Sequence, residues 1–219
     1  MLQTDDNQMI KAKDVKGIPA STRRRLNNFG LHAAQLAFDK IENEPLIVFA
    51  SRYGDVERSL RILGEISQGE PLSPMNFSLS VHNAVPGVLS IAWKLTEMQS
   101  VISAGRDTFV MGLTEAFSLL KSHPQKPVLF LYLDLPLPSV FSEFENSQEK
   151  IGACALLLHS GDRVGEGPIF QAAFNHVDNL RSQGEEHPVY SLYRMLEGEI
   201  DQLVIGAGGF FWRLDAKNA

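Results

Sequence analysis

The chain carries one thiol, Cys154, and therefore one side chain able to act as a sulfur nucleophile. It lies inside the run Ala153-Cys-Ala-Leu-Leu-Leu158, where a free cysteine behaves as a small buried apolar residue. Ser103 has no His or Asp near it in sequence to take its proton, so it reads as a strand residue rather than a nucleophile. The histidines at 32, 82, 123, 159, 176 and 187 show no HxH or HxxxH spacing, and no metal site is expected from them. The sharpest polar pair is His82-Asn83, at the start of an apolar helical pattern: Asn83 caps that helix, or the pair contacts a ligand or partner. Arg106-Asp107 stands at a second helix start, either as an ion-paired plug or as a solvated turn in which Asp107 meets the helix dipole. Gly206-Ala-Gly-Gly209 resembles a phosphate loop superficially, but no helical pattern follows it, so a hairpin turn is expected. Arg23-Arg-Arg25 is the one concentrated basic patch, a solvated helix face or a contact for an acidic partner.

Two hydrophobic periods alternate along the elements that must position these residues. Residues 1–18 show no apolar period and read as a flexible or loosely docked arm; residues 19–219 read as one domain. Leu26, Phe29, Ala33, Ala37 and Ile41 recur at helical steps, ending before Pro45. Leu46–Ala50 and Val128–Leu133 are continuous apolar runs of strand length, as expected of strands buried on both faces. Gly54-Asp55 opens a helix with Val56, Leu60, Leu63 and Ile66 inward, stopped by Gly69, and residues 69–82 read as a loop. Ala84–Leu95 is apolar almost all round, with Pro86 in its first turn. Ser100–Ala104 reads as a strand, followed by a helix with Phe109, Leu113, Ala116, Phe117 and Leu120 inward. Phe141–Lys150 reads as polar loop, Ala153–Leu158 as strand, Gly161–Gly184 as mostly irregular, and Pro188–Leu196 as a short helix. Leu203–Ile205 and Phe210–Leu214 suggest a terminal hairpin. Strands alternating with helices predict an α/β fold, its mainly parallel central sheet covered by helices on both faces.

Composition narrows the function classes. The 219 residues hold 20 Lys and Arg against 26 Asp and Glu, a net charge of −6, which argues against a generic nucleic-acid or anionic-membrane surface. A hydrophobic share of 44% excludes wholesale disorder. Apolar runs fall far short of the roughly 20 residues of a membrane span, and the polar N-terminus does not read as a signal peptide. With one cysteine and no internal disulfide, a cytoplasmic location is expected.

The stretch SPMNFSLSVHNAVPGVLSIAWKL, followed by SVISAGRDTFVMGLTEAF, resembles the N-terminal half of β-ketoacyl synthases of the thiolase fold. Pro74, Asn83 and Gly87 stand where that family has a Pro-led loop and a buried helix opening on Asn and Gly. VFASRYGD resembles its earlier strand and small-residue turn, and IGACALLLH its last N-half strand. Together with the FFWRL terminus, these motifs are most similar to the short chain-length-factor-like subunits of bacterial aryl polyene clusters, over roughly residues 19–214. The resemblance implies a thiolase-like half-fold whose nucleophile position is occupied by Arg106, or by Gly105 if the turn is shifted by one. A guanidinium cannot become a thiolate, and the family's two catalytic histidines belong to a second half that this chain does not reach. The implied function is a non-catalytic subunit that pairs with a Cys-bearing β-ketoacyl-ACP synthase and shapes its acyl tunnel, without a cofactor.

The resemblance further implies Tyr53, Met75, Asn76 and Phe77 as tunnel-gate residues, with core packing the alternative for Tyr53 and Phe77. It implies Ser100, Val101, Ile102, Ser103 and Ala104 as a dimer-edge strand, and an open edge is costly to leave bare. Arg23, Arg24 and Arg25 are the candidate contact for an acyl carrier protein, which otherwise docks through the partner. The rival reading is a divergent thiolase-fold transferase or hydrolase acting alone through His82, Ser103 or Arg106.

Overall fold

The two continuous apolar runs form the middle of a four-stranded sheet. In this computed structural model β1 (Leu46–Ala50) and β3 (Val128–Asp134) are buried along their whole lengths. The structure describes residues 15–41, 43–144, 152–161, 168–176, 187–207 and 210–217. β1 runs parallel to both of its neighbours, β2 (Gln99–Ile102) and β3, while β4 (Gly152–Leu158) pairs antiparallel with β3. The order β2-β1-β3-β4 leaves β2 and β4 as the edges.

Strand alternation splits the buried side chains into two cores. On one face Val48, Phe130 and Tyr132 meet Phe109 and Leu113 of α6 (Thr108–Ser122) and Val189, Leu192 and Met195 of α7 (Pro188–Leu196). On the other, Phe49, Leu129, Leu131 and Leu133 meet α2 (Asn28–Phe38) and α5 (Ala84–Trp93). Helices therefore cover both faces, as expected.

A second sheet closes the first core. β6 (Gln202–Ala207) and β7 (Phe210–Lys217) form the expected hairpin, with Ala207 opposite Phe210 and the Gly208-Gly209 connection outside the described residues. β5 (Ile169–His176) pairs antiparallel with the other side of β7, which corrects the expectation of irregular chain there. Its sequence IFQAAFNH lacks a clean alternation because Ala-Ala interrupts it, so the pairing comes from β7 rather than from local pattern. Trp212 Nε1 donates to Thr114 Oγ1 at 2.7 Å, tying this sheet to α6.

Four further boundaries differ from the sequence pattern. The single helix expected around the Leu26–Ile41 stripe is two: α1 (Ala20–Arg23) and α2, separated because Asn27 turns extended and its side chain accepts from Gly30 N–H at 3.3 Å. Val15 and Ile18 are buried, and Trp93 Nε1 donates to Gly17 O at 3.0 Å, so the docked chain begins before residue 19; residues 1–14 lie outside the described residues. The expected loop contains α4 (Pro74–Ser78), capped by Ser73 Oγ on Asn76 N–H and led by Pro74. Residues 139–144 form a 3₁₀ segment, while 145–150 of the expected polar loop lie outside the described residues.

α3 (Val56–Ser67) forms as expected but does not bury its stripe. Leu63 and Ile66 are 57% and 54% exposed, and the buried residues of α3 are Ile62 and Arg58. Periodicity identified a shared face correctly; among the described residues that face stays exposed.

Candidate functional site at the ends of the parallel strands

The carboxyl ends of β1, β2 and β3 converge on two turns. In the first, Ser51–Gly54, the backbone reaches a left-handed conformation at Gly54 (φ 62°), where a Cβ would come within 3.1 Å of the His82 ring. Ser51 N–H donates to Ile102 O of β2 at 3.1 Å, and Ser103 Oγ donates to Arg52 O at 3.1 Å. Ser103 thus braces the first turn; it lies past the end of β2, and Ser103 and Ala104 are both exposed. Tyr53 is half-buried, with the Arg52 guanidinium 4.7 Å above its ring.

The second turn carries Arg106. Residues Gly105–Asp107 form a 3₁₀ turn into α6, and Thr108 Oγ1 accepts from Ala104 N–H at 2.9 Å while donating to Gly105 O at 2.7 Å. Thr108, rather than Asp107, supplies the capping bond. Arg106 is exposed and makes no ion pair among the described residues, so it does not form a plug with Asp107.

Three buried charged side chains underlie these turns, Asp134 and the Asp55–Arg58 pair, and of these the sequence pattern placed Asp55, at the start of a helix. Asp134, at the end of β3, accepts from Ser51 Oγ, Arg52 N–H and Tyr53 N–H on Oδ1 at 3.0, 2.9 and 3.2 Å, and from Tyr132 Oη on Oδ2 at 2.7 Å. Burial pushes its pKa above the usual carboxylate value, and these donors pull it part of the way back. Asp55 caps α3 by accepting from Arg58 N–H at 3.1 Å and pairs with Arg58 Nε at 2.8 Å. Arg58 also donates to Arg25 O at 3.2 Å and to Asn76 Oδ1 at 3.5 Å, joining α3 to α4 and to the chain before α2. The one sequence signal for Asp134 was its position as the terminator of an apolar strand.

The remaining candidates separate. Met75 and Phe77 project from α4 at 52% and 61% exposure, so Phe77 is not a core residue, while Asn76 is half-buried on Arg58. Asn83 occupies the N-cap position of α5 but makes no capping bond, which corrects that expectation. His82 Nε2 is enclosed without a hydrogen-bond partner among the described residues. Arg24 and Arg25 are exposed and Arg23 half-buried. Cys154 lies half-buried in β4 opposite Tyr132, and burial pushes its thiol pKa up to about 12. It is far from the turn that bears Arg106 in the sheet order, with β1 and β3 between β4 and β2. Among the described residues no cluster of His, Cys, Asp or Glu is placed to hold a metal, and no helix is long and apolar enough to cross a membrane.

Parallel strands that end in two tight turns, with a buried helix leaving the second, are the geometry in which the sequence of the β-ketoacyl synthase N-terminal domain family matches residues 2–195. The chain belongs to that family. Among solved structures it is similar to a chain of the ketosynthase ApeO in complex with its chain length factor ApeC from Xenorhabdus doucetiae. That match has 27% identity and a TM-score of 0.71, covering 94% of this chain and 86% of that one. The ishigamide ketosynthase/chain length factor shares the fold at 12% identity and a TM-score of 0.61, over 88% of this chain and 60% of that chain. No curated protein sequence matches the chain. The thiolase-like ketosynthase fold expected from the motifs is therefore present, with helices on both faces of a mixed, mostly parallel sheet.

Proposed function

We propose that this chain is a chain-length-factor subunit: it docks on a Cys-bearing β-ketoacyl-ACP synthase, contributes no nucleophile, and shapes that partner's acyl tunnel. The observation that carries the reading is an apolar surface that stands exposed among the described residues. Leu63, Ile66, Met75, Phe77, Val81 and Ile91 are each about half exposed or more, and all lie on the crossover between β1 and β2. That crossover leads to β2, an edge strand among the described residues, and such an edge is a template for pairing with another chain. The likeness to a chain from a ketosynthase–chain length factor complex supplies the kind of partner.

The lack of condensing chemistry is supported by the residues at the family's nucleophile turn. Arg106 is exposed and permanently cationic, and the only thiol lies in a different strand, where burial pushes its pKa up to about 12. Tyr53 on the β1 turn and Met75, Asn76 and Phe77 on α4 are the side chains that reach toward the partner's tunnel. A bulky group there shortens the product by overlap with the growing chain. Arg23–Arg25 offers a contact for an acidic acyl carrier protein, alongside docking through the partner.

Co-expression with a ketosynthase from the same genome, followed by native mass measurement, tests this. A one-to-one complex is expected. A well-behaved monomer that ignores the ketosynthase and turns over acyl-thioesters by itself would support the rival, a self-sufficient transferase or hydrolase.

A further inference from the structure

The turn bearing Tyr53 is held from beneath by one carboxylate. Asp134 Oδ1 accepts from the backbone N–H groups of Arg52 and Tyr53 at 2.9 and 3.2 Å. Ser51 Oγ, itself donating to Asp134 Oδ1, accepts from Gly54 N–H at 2.8 Å. The amides of three successive residues are thus gathered, directly or through one hydroxyl, onto a group that is 7% exposed. Charge-assisted bonds of this kind are about twice as strong as neutral ones, and they fix the backbone from which the Tyr53 ring projects.

The carboxylate is positioned in turn. Tyr132 Oη donates to Asp134 Oδ2 at 2.7 Å and lies 3.3 Å from His187 Nε2. His187 Nδ1 accepts from Val189 N–H at 3.2 Å, so neutral His187 carries its proton on Nε2 and donates it toward Tyr132. The chain His187–Tyr132–Asp134 connects the start of α7, on one face of the sheet, to the β1 turn. Tyr132 is 4% exposed, and none of the three side chains is among the gate residues.

We propose that Asp134, held by Tyr132 and His187, is a positioning residue for Tyr53 and so tunes the length of the product without lining the tunnel. The inference rests on the reading of Tyr53 as a gate residue. The test uses the purified complex with its co-expressed ketosynthase and compares Asp134→Asn, Tyr132→Phe and Tyr53→Ala. The expected result is an intact complex in every case. Asp134→Asn and Tyr132→Phe should lengthen products by at least half the shift that Tyr53→Ala produces. In amide spectra of the labelled subunit within the complex, the Arg52 and Tyr53 resonances should move in both variants while those of α2 stay in place. Unchanged products from Asp134→Asn and Tyr132→Phe, with a clear shift from Tyr53→Ala, would overturn the inference and leave the proposed function standing. Unchanged products from all three would remove the gate role of Tyr53 and the inference with it. Where Asp134→Asn does not fold, Tyr132→Phe decides by the same two readouts.

Discussion

Arg58→Met removes the guanidinium that joins three segments while keeping a side chain of similar length. The Asp55 and Arg58 side chains are 3% and 8% exposed, with Nε 2.8 Å from Oδ2. In the variant Asp55 Oδ1 keeps Asn27 Nδ2 at 2.6 Å and the backbone N–H of residue 58 at 3.1 Å, but Oδ2 loses its partner. Arg25 O loses its donor as well. Removing one member of a buried ion pair costs about 3–5 kcal/mol, and because Oδ1 stays served the lower end, about 3 kcal/mol, applies. At about 2–4 °C per kcal/mol for a chain of this size, Tm should fall by about 6–12 °C. Calorimetric unfolding at matched protein concentration measures this, with Arg213→Met as the control. Arg213 pairs with Asp215 in the open, at 51% and 35% side-chain exposure, so its loss should leave Tm unmoved. A Tm for Arg58→Met within about 2 °C of the parent would refute the assignment of this pair as the clamp between α3, α4 and the chain before α2.

Other consequences are as direct. At pH 8 a thiol of pKa about 12 is a thiolate about a thousandfold less often than an ordinary one, and since the greater nucleophilicity of such a thiolate offsets only part of this, iodoacetamide should label Cys154 at least about tenfold more slowly than the unfolded chain. Gly112→Ala would place a Cβ 2.7 Å from Phe130 and 2.8 Å from the Ala50 Cβ, and should cost about 1–3 kcal/mol in denaturant unfolding. Phe77→Ser should leave the chain's own stability within about 0.5 kcal/mol, since Phe77 is 61% exposed. The same change should weaken ketosynthase binding at least about tenfold, measured by titration. Folding raises the pKa of Asp134, so the folded chain holds that proton more tightly than the unfolded chain. The group's contribution to stability is present in full below 3.8 and is lost as pH rises through the folded value. Unfolding measured against pH should therefore show a descending component in that window that is absent in Asp134→Asn.

What the sequence made legible follows from where the physics is local. β1 and β3 stood out because strands buried on both faces must be apolar at every position, and Leu46–Ala50 and Val128–Leu133 are. The family resemblance placed turns near Gly54 and Gly105, and both glycines have a left-handed backbone. The break at Asn27 escaped because the apolar period runs on through Leu26 and Phe29 while a single side-chain cap redirects the backbone. β5 escaped because its pairing with β7 joins residues some forty positions apart in sequence and leaves little local trace. The stripe on α3 shows a different limit. Spacing shows that Leu63 and Ile66 share a face, but only the folded chain shows that this face stays exposed among the described residues. Asp134 merely follows the apolar run Val128–Leu133 in sequence, and its role under the Tyr53 turn depends on Ser51 and Tyr132, which only the sheet brings to it.

The central claim is that the chain moulds a partner's cavity and forms no acyl bond of its own. Intact-mass analysis of both subunits after the complex meets an acyl-thioester tests it directly. The account predicts an acyl adduct on the ketosynthase subunit alone, with this chain at its unmodified mass. An adduct on this chain, formed in the absence of any other protein, would contradict it.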